Sequence, residues 1–121
     1  MSLLDKKEET IRDLKNFFES YGGFHDSEII DLHMNLKNKL LFIAISDPLA
    51  NFKGFENYKY IKYMQIIFEV NSIMIEMKQD FEDQIFLYDI IVEKNEIEIL
   101  FSPSGKIKFS LNRNNILIKI D

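Results

Sequence analysis

Cysteine is absent from the 121 residues, and proline (two) and glycine (four) are scarce. Without cysteine there is neither a disulfide framework nor a thiolate metal site, so nothing requires an oxidising compartment and a cytoplasmic location is expected. So little proline and glycine leaves small room for linkers, while 46% hydrophobic and 13% aromatic residues place the chain among ordered domains. No stretch approaches the ~18 uninterrupted apolar residues of a membrane span. Met1 to Lys7 lack the apolar centre of a secretory signal. The expectation is one domain over residues 1–121, long enough to bury roughly two-thirds of the surface its unfolded form exposes.

Positive charge is also in short supply. Fifteen Lys and Arg against twenty Asp and Glu give a net charge of −5, whereas nucleic-acid surfaces concentrate bases to displace phosphate counterions. A nucleic-acid partner is therefore not expected, nor is a membrane. A neutral or basic partner suits the balance better, although modest acidity also serves simply to keep a small protein soluble.

What the chain does have is alternation. Glu96-Ile97-Glu98-Ile99, Lys106-Ile107-Lys108-Phe109-Ser110-Leu111 and Ile116-Leu117-Ile118-Lys119-Ile120 repeat with a period of two, which sets one face of a sheet on a core and the other in water. With Ile85 to Glu93 they read as four strands, joined at Lys94-Asn95, Ser102 to Gly105 and Arg113 to Asn115, where Asn and Gly tolerate positive φ. Such short connections force antiparallel order. Upstream, Ile30, Leu32, Met34 and Leu36 alternate inward, with Asp31, His33 and Asn35 outward. Leu40 to Ile45 is apolar on both faces and reads as a covered central strand. Tyr60 to Lys78 reads as two strands divided near Asn71-Ser72, or else as one long strand with a bulge there.

Asp5 to Tyr21 reads as the single helix, with Ile11, Leu14, Phe17 and Phe18 on one face and Gly22-Gly23 ending it. One helix cannot cover both faces of so many strands. The fold expected is α+β, with an N-terminal helix packed on a strongly curved antiparallel sheet of about seven or eight strands, a partial barrel, or else a sheet face left for a partner or a homodimer.

Chemistry is thinly represented. Gly-x-Ser-x-Gly is absent around Ser46, Ser102 and Ser104, and no glycine-rich loop precedes a helix, so hydrolase and nucleotide-binding readings lose support. With two histidines and no ligand spacing, a zinc site is not expected, and neither is a cofactor. Glu96 and Glu98 opposite Lys106 and Lys108 suit exposed cross-strand ion pairs of ~0.2–1 kcal/mol each.

Two candidates remain. His25, Asp26 and His33 form a polar neighbourhood able to hold a small molecule or a metal if the imidazoles converge. Otherwise the His25 to Glu28 segment is a structural turn and His33 lies on a solvated strand face. The second candidate is the long connection from Asp47 to Lys59, which is unusually aromatic: Phe52, Phe55, Tyr58, Tyr60 and Tyr63 fall close together. Phe55, Tyr58 and Tyr60, with the acidic Asp80, Glu82 and Asp83, suit contact with a protein partner. The same aromatics would equally plug the open end of a curled sheet.

At Gly23-Phe24-His25-Asp26-Ser27-Glu28-Ile29-Ile30, followed by an alternating strand and the Leu40 to Ile45 run, the chain resembles a loose group of small bacterial domains. These open with Phe-His-Asp-Ser/Ala-Glu-Ile and continue as a β-rich body. Some similar proteins are regarded as immunity proteins that neutralise polymorphic toxins. The resemblance implies a non-enzymatic protein that binds a protein partner such as a toxin, and it carries over no catalytic residue.

Overall fold

The computed structural model describes residues 8–48, 61–76 and 84–120. These form seven strands and one short helix in the order β1 (Glu8–Ile11), α1 (Leu14–Ser20), β2 (Glu28–Asn35), β3 (Leu40–Ser46), β4 (Tyr63–Glu76), β5 (Phe86–Glu93), β6 (Glu96–Ser102) and β7 (Lys106–Ile120), with a 3-10 turn at Gly22–Phe24 between α1 and β2. The spatial order is β1-β7-β4-β3-β2-β5-β6, and a further β6–β7 pairing closes six of the strands into an antiparallel barrel, to which β1 is added on β7. The expected curvature thus runs to closure. Closure leaves fewer open edges than a curved sheet would otherwise present to other chains.

Two long strands make the turn possible. Met64 to Phe68 of β4 pair with Ile116 to Ile120 of β7, whereas Val70 to Glu76 pair with Lys106 to Leu111. Between these ladders only Glu69 of β4 lies opposite Asn112 to Asn115 of β7, and Asn112 Nδ2 donates to Glu69 Oε1 at 2.8 Å. Two strands expected over Tyr60 to Lys78 are therefore one long strand with a bulge, the alternative reading. Likewise Lys106 to Leu111 and Ile116 to Ile120 are parts of one strand and not antiparallel neighbours. The extra residues Asn112 to Asn115 make a bulge that bends the strand without reversing it. Bending folds the sheet onto itself, so Phe68 from one part meets Phe109 from the other edge-on at 4.8 Å between ring centroids.

The inner face follows the period of two. Ile97, Ile99, Ile107 and Ile118 are buried, as are Leu41, Ile43 and Ile45 of β3. In β2 the alternation slips, because a bulge between Ile29 and Asp31 leaves Ile30 without a partner on β3. Ile29, Leu32 and Met34 pack on the core, while Ile30 and Leu36, expected inward, are 48% and 78% exposed.

The helix is shorter than its apolar spacing suggested. Glu8 to Ile11 pair with Ile116 to Lys119 of β7, on the stretch of that strand beyond β6. Asp13 then stops the extended chain and caps the helix, its carboxylate accepting the Asn16 backbone N–H at 3.2 Å. Ile11 and Leu14 are both buried, so a strand–turn–helix serves the same apolar pattern that a continuous helix would. Phe17, Tyr21 and Phe24 gather in one aromatic cluster with Phe18, Tyr21 stacking on Phe24 with 5.4 Å between centroids.

The barrel closes at the Gly23 to Glu28 segment. The β2–β5 ladder contains one register pair, Glu28 with Phe86. Around it the Asp26 N–H donates to the Leu87 carbonyl (2.7 Å), the Leu87 N–H to the Ser27 carbonyl (2.9 Å) and the Ile29 N–H to the Ile85 carbonyl (2.8 Å). Gly23 adopts φ +65°, and a Cβ there would stand 3.3 Å from both Asp89 Oδ1 and the Ile90 nitrogen. Glycine at this position meets both needs, left-handed backbone and close approach to β5.

Candidate binding face

On β3 three of the four outward side chains, Leu40, Phe42 and Ala44 but not Ser46, are apolar where a sheet with one face in water is ordinarily polar. These residues are half-exposed, so the expectation that β3 is covered on both faces holds for its inner side only. The pairing extends the anomaly sideways. His33 of β2 lies opposite Phe42, Phe42 opposite Ile67 of β4, Ile67 opposite Leu117 of β7, and Leu117 opposite Thr10 of β1. One continuous row therefore crosses five strands on the outside of the barrel, with Phe42, Ile67 and Leu117 as its apolar centre. Ile67 is buried between its neighbours, while Phe42 and Leu117 stay half-exposed.

A groove of about 390 Å³ runs over this centre, lined by Leu40, Phe42, Ile67 and Leu117 with Glu69 and Lys119 beside them. His33 bounds the row at β2. Its ring stacks on Phe42 with 4.5 Å between centroids and 12° between planes, and Asp31 Oδ2 shares a hydrogen bond of 2.9 Å with His33 Nδ1. Asp31 and His33 are two apart on one strand, which puts both on the outer face and lets the carboxylate hold the imidazole over the phenyl ring.

The expected ligand neighbourhood divides into two pairs. His25 Nδ1 and Asp26 Oδ2 share a bond of 3.1 Å at the closing segment, and His33 is engaged with Asp31 on the outer sheet face. Among the described residues no group of three or more His, Asp or Glu is placed to hold a metal ion. Neither histidine lines the groove over Ile67 or a second one, of about 330 Å³, where Arg12, Asp13 and Asn16 border Phe17 and Tyr21. Phe55, Tyr58, Tyr60, Asp80, Glu82 and Asp83 lie outside the described residues.

Elsewhere on the outer surface Glu98 is in register with Lys108, as the alternation suggested, while Glu96 lies opposite Ser110. Lys106 instead approaches Glu76 of β4 at 3.9 Å. Such exposed contacts contribute little and mark no site.

The row through Phe42, Ile67 and Leu117 was not singled out from the sequence. Its signal was present as a strand apolar on both faces in a sequence whose periodicity offers a single helix to cover it. Comparison of the chain with family models, with curated proteins and with solved structures finds no match.

Proposed function

We propose that this is a non-enzymatic protein that binds another protein, acting as an inhibitor in the manner of a toxin-immunity protein. The observation that carries the reading is the apolar row on the outer face: Phe42 and Leu117, half-exposed on either side of the buried Ile67, put contiguous apolar surface where an outer sheet face is ordinarily polar, and such surface is a common mark of a docking site. Phe42 and the groove beside it suit an interface centre, where an aromatic anchor and a pocket exclude water, and the charged groups around them suit a rim. The net charge of −5 favours a basic partner, because complementary fields speed encounter.

The test is reconstitution. The immobilised protein is expected to retain a basic protein from the cytosol of its source cell, and the two purified components are expected to form a 1:1 complex by sedimentation in which the partner loses its activity. A partner whose activity is unchanged in the complex would refute inhibition. Failure to form any stoichiometric complex would refute the binding reading itself.

A further inference from the structure

The apolar row has a charge pattern around it. On one flank the register runs Asp31, Ala44, Gln65, Lys119, Glu8 across the same five strands, and on the other Asn35 and Leu40 lead to Glu69. Glu8, Asp31 and Glu69 thus surround the centre, with Lys119 opposite Glu8 and Lys39 next to Leu40 as the bases on the same flanks. A second copy of this chain is a poor occupant, since it would bring a face with more acids than bases against another of the same net sign. Nucleic acid and anionic lipid are repelled by the same groups.

Resting on the partner reading above, we infer that this face receives an extended basic segment of the partner protein. One aliphatic or aromatic side chain seats in the groove between Phe42 and Leu117, over Ile67. Lys or Arg residues on either side reach Glu69 on one flank and Asp31 on the other. The dimensions agree. Neighbouring strands are ~4.8 Å apart, so the row from His33 to Leu117 spans three steps, or ~14 Å, about the length of four residues of extended chain. Residues two apart on a strand are separated by ~6.7 Å, which brings Glu69 and Gln65 to either side of Ile67 within reach of a long basic side chain. His33, held by Asp31, backs Phe42 from the β2 side without lining the groove itself.

The probes are two fluorescein-labelled peptides, Gly-Lys-Lys-Phe-Lys-Leu-Lys-Gly and the same sequence with Glu for Lys, titrated into the whole protein at low salt by anisotropy and by amide NMR. The Lys peptide is expected to bind, with the largest shifts at Phe42, Ile67 and Leu117. Its affinity is expected to fall about tenfold in the double variant Glu8→Lys/Glu69→Lys, with an unchanged circular dichroism spectrum as the control that loss of the Asn112–Glu69 hydrogen bond leaves the fold intact. A Lys peptide that does not bind up to millimolar concentration, a Glu peptide that binds as well, or shifts centred away from the row would each overturn the inference. A wild-type dimer that Ile67→Lys disperses would assign the face to a second copy and overturn it too. If the reconstituted partner complex forms with undiminished affinity in Glu8→Lys/Glu69→Lys, this inference fails while the partner reading stands. If no complex forms with the wild type, it is the partner reading that fails.

Discussion

Gly23→Ala tests how the barrel is closed. Gly23 sits at φ +65°, where an L-residue costs ~1–2 kcal/mol relative to its ordinary conformations. The new methyl would also stand 3.3 Å from Asp89 Oδ1 and 3.3 Å from the Ile90 nitrogen. That carboxylate oxygen accepts the Ile90 N–H at 2.8 Å, so the methyl presses on both ends of one hydrogen bond. Weakening it adds something under ~1 kcal/mol. The sum is about 2 kcal/mol, which for a domain of this size lowers Tm by about 6–10 °C. Thermal and urea unfolding followed by circular dichroism read the loss. A cycle with Asp89→Ala separates its parts, because in that background only the backbone component and the approach to Ile90 remain, leaving a coupling of about 0.5 kcal/mol. Amide exchange adds the location: the Asp26 and Leu87 N–H groups, bonded across the closure, are expected to lose protection before those of β3 and β4. A loss below about 0.5 kcal/mol, or exchange that rises uniformly over the barrel, would refute the placement of this segment.

Three other perturbations probe different parts of the molecule. Phe109→Asp puts a carboxylate among the inner side chains against Phe68 and is expected to cost about 4 kcal/mol or more, an effect that an unchanged melting curve would contradict. Asp13→Ala removes the carboxylate that caps α1 and is expected to cost about 1 kcal/mol, read as a Tm lowered by about 3–5 °C. Phe42→Ala removes an outward ring and its stack on His33; a stability loss near 1 kcal/mol together with partner affinity weakened at least thirtyfold, about 2 kcal/mol, is expected, and equal affinity would remove Phe42 from the interface.

The strands were legible because their inner faces are regular. Ile97, Ile99, Ile107 and Ile118 announce their orientation by alternation alone, and all four are buried. Continuity was less legible, since asparagines that turn a chain and asparagines that bulge one have the same local chemistry; whether Asn112 to Asn115 reverse direction is decided by what β4 offers opposite them. The first residues of the helix were misread for a related reason. Ile11 and Leu14 are three apart, as on a helix face, but the edge of β7 beyond β6 provides a ladder for Glu8 to Ile11, and Asp13 caps whatever begins after it. At turns, positive φ fell to Lys39 (57°) and Lys94 (55°), not to the neighbouring asparagines, so the turn itself was readable and its strained position was not. The histidines could be placed on their segments, yet their partners, Asp26 for one and Asp31 for the other, depended on three-dimensional side-chain placement.

Closure also decides where function can reside. In a barrel of six strands the interior is about wide enough for its own side chains, and Leu41, Ile43, Ile45, Ile66 and Ile99 fill it at 0–1% exposure. The inner positions are thus committed to stability, and contact with another molecule falls to the outer positions or the ends. Most outer positions on the strands are polar or charged and follow the ordinary alternation. Ile30, Met74, Tyr88 and Ile91 are outward exceptions on their own strands, whereas Phe42, Ile67 and Leu117 depart from it on three adjacent strands at the same level, which no single strand's share of the core requires. An isolated outward apolar side chain is commonplace. Three in register across β3, β4 and β7, bounded by a histidine that a carboxylate holds in place, make a surface whose shape and charge are set by the sheet itself. That rigidity suits recognition of another protein by a preformed face, with little ordering required on binding.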